Sequence, residues 1–230
     1  MTGRPFLSVI LPVLNEAKGI NDALAHLRSI DDGSIREIIL SDGDPAGSTL
    51  EAARDASVAT VAGPPGRGGQ LNRGAALATG DILLFLHADT ILPPRAFERI
   101  RLALADPSVA GGAFDLGIAS PRWYFRVTER YAACRTRLTR IPFGDQAIFL
   151  RRAFFERIGR YADIPVMEDV ELMTRVRRTG GRITILPDRV LTSARRWEQE
   201  GVLFTTCRNW MLQGLYCLGV KPERLARFYR

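Results

Sequence analysis

Residues 66–89, GRGGQLNRGAALATGDILLFLHAD, hold the pattern on which the fold turns. The block opens in the most loop-like run of the chain, Gly63-Pro64-Pro65-Gly66-Arg67-Gly68-Gly69, because Gly and Pro punctuate regular structure. Gln70–Ala78 then reads as a helix, stopped at Gly80, a residue suited to a left-handed cap. Asp81–Leu86 (DILLFL) is apolar without alternation, as expected of a strand buried on both faces. It runs straight into His87-Ala88-Asp89.

The same unit repeats outward. Towards the N-terminus, Leu7–Leu14 (LSVILPVL) and Ile35–Leu40 are further buried strands, separated by a helical stripe of Ile20, Leu24, Leu27 and Ile30. Thr49–Ala56 reads as a helix and Val58–Ala62 as a short strand, and another helix follows Pro93-Pro94. Towards the C-terminus the pattern predicts strands at Gly111–Leu116, Gly144–Leu150 and Arg182–Pro187, and helices at Ala153–Ile158 and Glu168–Arg178. Such alternation predicts an α/β fold, a mostly parallel sheet with helices on both faces. Ligands bind such sheets at the carboxyl ends of the strands. Three separate strands deliver polar residues there: Asn15 and Glu16, then Asp42, then Asp89.

With 230 residues, 46% of them hydrophobic and 25% charged, the chain suits one large domain, and disorder is excluded. We read 1–230 as a single domain: about 5–110 nucleotide-binding, about 111–200 acceptor-side, and about 201–230 a short C-terminal helical extension. The net charge of +7, carried almost entirely by Arg, suits acidic partners. Cys134, Cys207 and Cys217 lack CxxC spacing, which argues against a disulfide framework or zinc site and for a reducing cytosol. Met1–Phe6 lacks signal-peptide features, and no run reaches the ~18–20 apolar residues of a membrane span.

Each polar candidate has two readings. Asp89 suits a divalent cation, a hard ion that bridges phosphates, or caps the next turn. Asp42-Gly43 is a contact to a base or ribose, or an ordinary turn dipeptide. Asn15-Glu16 is a site element or a helix start. Gly66–Gly69 with Arg67 resembles a phosphate cradle in front of a helix N-terminus, or is a plain loop; it lacks the GK[ST] ending of a P-loop. Glu168-Asp169 is a general base or a pair of acids stabilising a helix start. Arg195-Arg196-Trp197 binds phosphate and stacks on a ring, or is a basic surface turn.

In order and spacing these blocks resemble family 2 glycosyltransferases, whose fold is termed GT-A. The correspondence runs from about Leu7 to about Trp197. LSVILPVLNE is similar to the opening strand whose Pro12, Asn15 and Glu16 face the nucleotide. SDG at Ser41–Gly43 is similar to the acidic-Gly turn, which implies a nucleotide-base contact for Asp42. In the central block the resemblance places Arg67 and Asn72 near the donor, and Ala88 and Asp89 in the metal-binding DxD motif. GDQAIFLRR, with Asp145 and Gln146, resembles the acceptor-side segment. Glu168-Asp169 resembles the ED pair that supplies the catalytic base, a role the resemblance assigns to Asp169. The Arg195–Trp197 triplet resembles the family's RW element.

This resemblance implies an inverting, metal-assisted transfer from a nucleoside-diphosphate sugar to an acceptor hydroxyl, with Mg²⁺ or Mn²⁺ on Asp89. Two departures stand out. His87 replaces the first Asp of DxD, which makes it a candidate phosphate contact, and Ser41 stands where many relatives carry another Asp. A nucleotidyltransferase is disfavoured because Lys18 and Lys221 are the only lysines. A non-catalytic nucleotide-sugar binder of the same fold is the alternative. Nucleic acid is not an expected partner, since the Arg/aromatic mixture at Arg122–Arg137 accompanies no binding motif. Val202–Leu218 carries an apolar stripe of Leu203, Cys207, Met211, Leu215 and Leu218, followed by Lys221, Arg224, Arg227 and Arg230. That segment packs on the catalytic domain or rests on an anionic membrane surface, near a lipid-linked acceptor. The expected location is cytoplasmic, either free or peripheral at the inner face of the membrane.

Overall fold

The computed structural model describes residues 4–228, except the side chains of Arg196 and Leu203. Met1–Gly3, Tyr229 and Arg230 lie outside the described residues. The strands are β1 (Leu7–Val13), β2 (Ile35–Asp42), β3 (Ala59–Ala62), β4 (Ile82–Phe85), β5 (Thr90–Ile91), β6 (Val109–Ala119), β7 (Ile148–Arg151) and β8 (Arg182–Ser193). They form one sheet in the order β3-β2-β1-β4-β7-β6-β8-β5. β1 pairs in parallel with β2 and β4, β2 with β3, and β6 with β8. β7 runs antiparallel to both β4 and β6, and β5 to β8.

Period-two geometry explains the continuous apolar runs. In β1, Leu7, Val9, Leu11 and Val13 enter one core, while Ile10 enters the other. In β4, Ile82 and Leu84 face the first core, and Leu83 and Phe85 the second. Neither face is left for water, so no polar alternation survives in these strands. The first core is closed by Ile20, Leu24 and Leu27 of the helix Ile20–Ser29 and by Phe97 and Ile100 of the helix Ala96–Ala103. The second takes Leu71 and Ala75 of the helix Arg67–Leu77 and Leu172, Met173 and Val176 of the helix Glu168–Arg178.

The expected strand over Gly144–Leu150 is corrected. Gly144–Gln146 is a 3₁₀ turn, and β7 begins only at Ile148. Ala147 has φ 50°, a left-handed conformation that separates turn from strand. The Gln146 amide is fully buried: it donates to the Phe114 carbonyl at 2.9 Å and accepts from Phe143 N–H at 3.1 Å. Burying such an amide is tolerable only with partners of this kind. β8 is longer than the expected Arg182–Pro187, because it carries Pro187 through a register shift, where Leu186 pairs with Phe114 but Arg189 with Asp115. Two unforeseen features are the helix Trp123–Thr139 and the division of the last segment into helices Arg195–Glu200 and Val202–Cys217. Among the described residues, no helix is long and apolar enough to cross a membrane.

Candidate functional site

A cavity of about 690 Å³ lies at the carboxyl ends of β1 and β4 and in front of the helix Arg67–Leu77. Its floor comes from Pro12 and Val13 at the end of β1, with Glu16 just beyond. His87, Ala88 and Asp89 follow β4, in a turn closed by Thr90 N–H to the His87 carbonyl at 3.1 Å. That turn is fixed to β8 by Ser193 N–H to the Asp89 carbonyl at 3.2 Å and by Thr90–Thr192 hydroxyl contact at 3.3 Å. Phe143, Gly144 and Asp145 form one wall, and Pro165–Asp169 another. Trp197 and Arg195 close the far side, and Arg195 reaches across to Glu16 at 3.3 Å.

Long-range bonds hold the acids in place. Asp169 accepts Gly144 N–H at 2.7 Å on one oxygen and its neighbour Val170 N–H at 2.7 Å on the other. A Cβ on Gly144 would lie 3.0 Å from His87 Nε2 and 3.5 Å from Asp169 Oδ2, so a glycine lets these two side chains crowd the same point. Glu168 is 3% exposed and pairs with the Arg67 guanidinium at 3.4 Å. Met167, in front of it, has φ 66°, and Asn15, after β1, has φ 58°. With Ala147, that gives three non-glycine residues in left-handed backbone at or within two residues of the cavity lining, a costly arrangement that clusters at functional sites.

The electrostatics follow from crowding. Burial, and then the Asp169 charge, push Glu168 up to about 7, against the opposing pull of Arg67. Burial and the Asp169 charge likewise push Asp145 up to about 6, against Arg135 and Arg67. Tyr161, behind these acids, is pushed well above its ordinary value, first by burial. Arg135 is 9% exposed, lies 3.5 Å over the Phe143 ring and bonds Gln146 at 3.3 Å, so a buried cation underlies the acidic turn.

A raised acid pKa makes the folded state hold a proton that the unfolded state has released. Stability from Glu168 is therefore present below about pH 4.5, its unfolded value, and lost as pH rises through about 7. Tm is expected to fall across that window. Glu168→Gln, a neutral mimic of the protonated form, should flatten the slope, as read by thermal unfolding from pH 4 to 8. An unchanged slope in Glu168→Gln would show that the carboxyl does not titrate as its surroundings dictate.

Of the residues singled out in the sequence, Pro12, Glu16, Arg67, Ala88 and Asp89 meet at this cavity. So do His87, Asp145, Glu168, Asp169, Arg195 and Trp197. Four others do not line it. Asp42 is fully buried, accepting Asp44 N–H at 2.9 Å and Thr49 N–H at 3.0 Å. Asn72 braces the helix against the Tyr161 backbone with bonds of 2.9 and 3.0 Å. Asn15 is exposed beyond β1, and Gln146 is buried behind Asp145. The Arg196 side chain lies outside the described residues. The cavity adds Gln70, whose amide donates to the carbonyls of Val13 at 2.8 Å and Ser41 at 3.1 Å, tying β1 to β2. It adds Gln199, Glu200 and Asn209 from the final helices, where the apolar stripe of Val202–Leu218 gave no sign of a cavity-facing polar side.

Among the described residues, no three His, Cys, Asp or Glu side chains form a cation cluster. The donor set still fits a hard cation in part. Asp89 lines the cavity, and Asp145 Oδ1 is buried with no hydrogen-bond partner and feels the charges of Asp169 and Asp89. Such a site needs further oxygens from a ligand, as a diphosphate would bring.

An α/β sheet with an acid-lined cavity at the strand ends, flanked by an arginine at a helix start, agrees with the GT-A fold. The chain belongs to glycosyl transferase family 2, whose family model matches residues 8–161. It is similar to a glucosyl-3-phosphoglycerate synthase of Mycolicibacterium smegmatis, 32% identical over 40% of this chain and 33% of that protein. It is also similar to an N-acetylglucosaminyltransferase of Mesorhizobium japonicum, 30% identical over 68% of this chain and 42% of that protein. The chain thus spans less than half the length of these relatives. Its fold matches mannosyltransferase PcManGT from Pyrobaculum calidifontis, solved in complex with GDP-Man and Mn²⁺, at a TM-score of 0.64. That match has 23% identity and covers 83% of this chain and 57% of the other.

Proposed function

We propose that the chain transfers a glycosyl group from a nucleoside-diphosphate sugar to an acceptor hydroxyl, with inversion and with help from a divalent cation. One observation carries the reading: Asp89, Asp145, Glu168 and Asp169 share a single cavity at the strand ends with Arg67 at its edge. Hexosyl donors are the substrate class the relatives suggest, since their names specify glucosyl, N-acetylglucosaminyl and mannosyl transfer.

In this reading the nucleoside lies against Pro12 and Glu16, with Asp42 stiffening the Asp42–Thr49 turn behind them. Arg67 and His87 face the diphosphate. Asp89, with Asp145 beside it, would hold Mg²⁺ or Mn²⁺, which supplies neutralising charge for the departing diphosphate. Asp169 takes the proton from the acceptor hydroxyl. The acceptor oxygen attacks the anomeric carbon on the side opposite the diphosphate, so one bond forms as the other breaks and the configuration inverts. Trp197 and Arg195 contact phosphate or acceptor.

Thermal unfolding with UDP-, GDP- and TDP-sugars, each with and without Mn²⁺, tests this. A ligand at 100 times its Kd stabilises the folded state by about 2.7 kcal/mol, or several degrees at about 2–4 °C per kcal/mol for a chain of this size. Stabilisation by one nucleotide class is expected, enhanced by Mn²⁺, and Asp89→Ala should abolish the enhancement. Well-folded protein that responds to no donor would overturn the transfer reading.

A further inference from the structure

The helix Val202–Cys217 turns much of its apolar surface outward. Its inward side carries Thr205 and Arg208, at 0% and 7% exposure, and Asn209 at the cavity. Its outward side carries Phe204, Cys207, Trp210, Met211 and Gly214, with Leu218 just beyond its end, spaced as one helical face. Phe204 is 61% and Leu218 83% exposed. The helix Trp123–Thr139 does the same. Glu129, Arg135 and Thr136 are buried beside Phe125 and Ala132, while Trp123, Val127, Tyr131, Cys134 and Leu138 form an outward stripe. Trp123 is 76% and Leu138 79% exposed.

These two faces meet. The Tyr131 and Trp210 rings lie 4.2 Å apart, each residue still about two-fifths exposed. A water-facing helix ordinarily turns charge outward and buries its apolar stripe, and a contiguous exposed apolar face of this kind marks a contact surface. The surrounding charge selects the occupant. Arg130 is exposed on the first helix, and Lys221, Arg224 and Arg227 are exposed just after the second. A second copy of the chain, itself at net charge +7, would set these cations against their own equivalents. An anionic surface would complement them. Two Trp and a Tyr among the outward residues also suit the water–hydrocarbon boundary.

From this we infer that the outward faces of helices Trp123–Thr139 and Val202–Cys217 seat the protein on an anionic lipid surface. The contact lies beside the catalytic cavity, because Asn209 lines that cavity from the same helix that turns Trp210 and Met211 outward. On its inner side, Leu212 packs against Val166, and Leu215 and Met167 join the same cluster, directly ahead of Glu168. Seating and the acidic site therefore share one helix. The surface stands on exposure and charge alone and does not depend on the transfer reaction.

The test is cosedimentation of the full chain with vesicles of phosphatidylglycerol and phosphatidylcholine, or of phosphatidylcholine alone. Binding to the anionic vesicles at low salt is expected, weakened at least about tenfold on phosphatidylcholine alone and by high salt. Phe204→Ser with Met211→Ser changes only exposed positions and should weaken binding at least about tenfold with the circular dichroism unchanged. So should Lys221→Gln, Arg224→Gln and Arg227→Gln together. Folded wild type left in the supernatant would overturn the inference, as would equal binding by the Ser double variant. A dimer that this double variant dissolves, without vesicle binding, would overturn it in favour of a self-interface. Donor-induced stabilisation, read on the same samples, reports on the transfer site separately.

Discussion

Asp169→Asn is expected to lower kcat by about 10²–10⁴-fold, the contribution of a positioned general base, while the donor still raises Tm. That loss corresponds to roughly 3–5 kcal/mol of transition-state stabilisation. The substitution is isosteric and keeps one carbonyl oxygen, so it can retain one of the two N–H bonds that Asp169 accepts from Gly144 and Val170. It cannot take a proton. Glu168 is the competing base, lifted to about 7 and also at the cavity. Its geometry argues for a supporting role. Glu168 is the more deeply buried of the two and is engaged by Arg67 at 3.4 Å, whereas Asp169 is only partly buried and adjoins the His87–Gly144 wall. Glu168→Gln should therefore retain more activity than Asp169→Asn, with a shifted pH profile. Steady-state kinetics that rank the two variants in the opposite order would transfer the base role to Glu168.

The central sheet was legible because its strands are buried on both faces, and hydrophobicity alone then marks them. β1, β2 and β4 fall within two residues of their expected bounds for that reason. The helix Trp123–Thr139 was not legible, and the cause is physical. It buries Glu129, which accepts Ile118 N–H at 2.8 Å, and Arg135, stacked on Phe143, while it exposes Trp123 and Leu138. A reading that puts apolar residues inside meets a reversed pattern there. The Gly144–Gln146 turn failed to register for a related reason. Its shape depends on bonds to Phe114 and Asp169, distant in sequence, and no local periodicity encodes them. Of the acids of the site, Asp89 was visible as a polar residue at a strand end and Glu168-Asp169 as a pair opening a helix, whereas Asp145 fell inside an expected strand. The difference between Asp89, which reaches the cavity, and Asp42, sealed by two backbone N–H groups, depends on the turn after each strand. Gln70 sat in plain sight in the central block, but only the juxtaposition of Val13 and Ser41 gives its amide a task.

Gly68→Ala and Gly69→Ala, neighbours in the first turn of the same helix, are expected to differ sharply. A Cβ on Gly68 would lie 2.6 Å from the Ala162 carbonyl oxygen and 3.6 Å from Glu168 Cβ. A Cβ on Gly69 would meet only Arg73 Nη1 at 3.5 Å, an ordinary contact. Helix propensity favours Ala over Gly at both positions by up to about 1 kcal/mol. At Gly69 that gain should stand, leaving Tm unchanged or raised. At Gly68 the contact is with backbone, which cannot rotate away, and overpacking of this kind costs about 1–3 kcal/mol or more. The clash wins, and Tm should fall. Relief requires the helix Arg67–Leu77 to part from the segment leading into Glu168, which stretches the Arg67–Glu168 pair and shifts Asp169 with it. A misplacement of about 1 Å in a reacting group can cost about 10²-fold in rate. Gly68→Ala should thus lose activity even at a temperature where it remains folded, and Gly69→Ala should not. Equal behaviour of the two variants in Tm and kcat would show that the close approach of this helix to Ala162 has no part in setting the site.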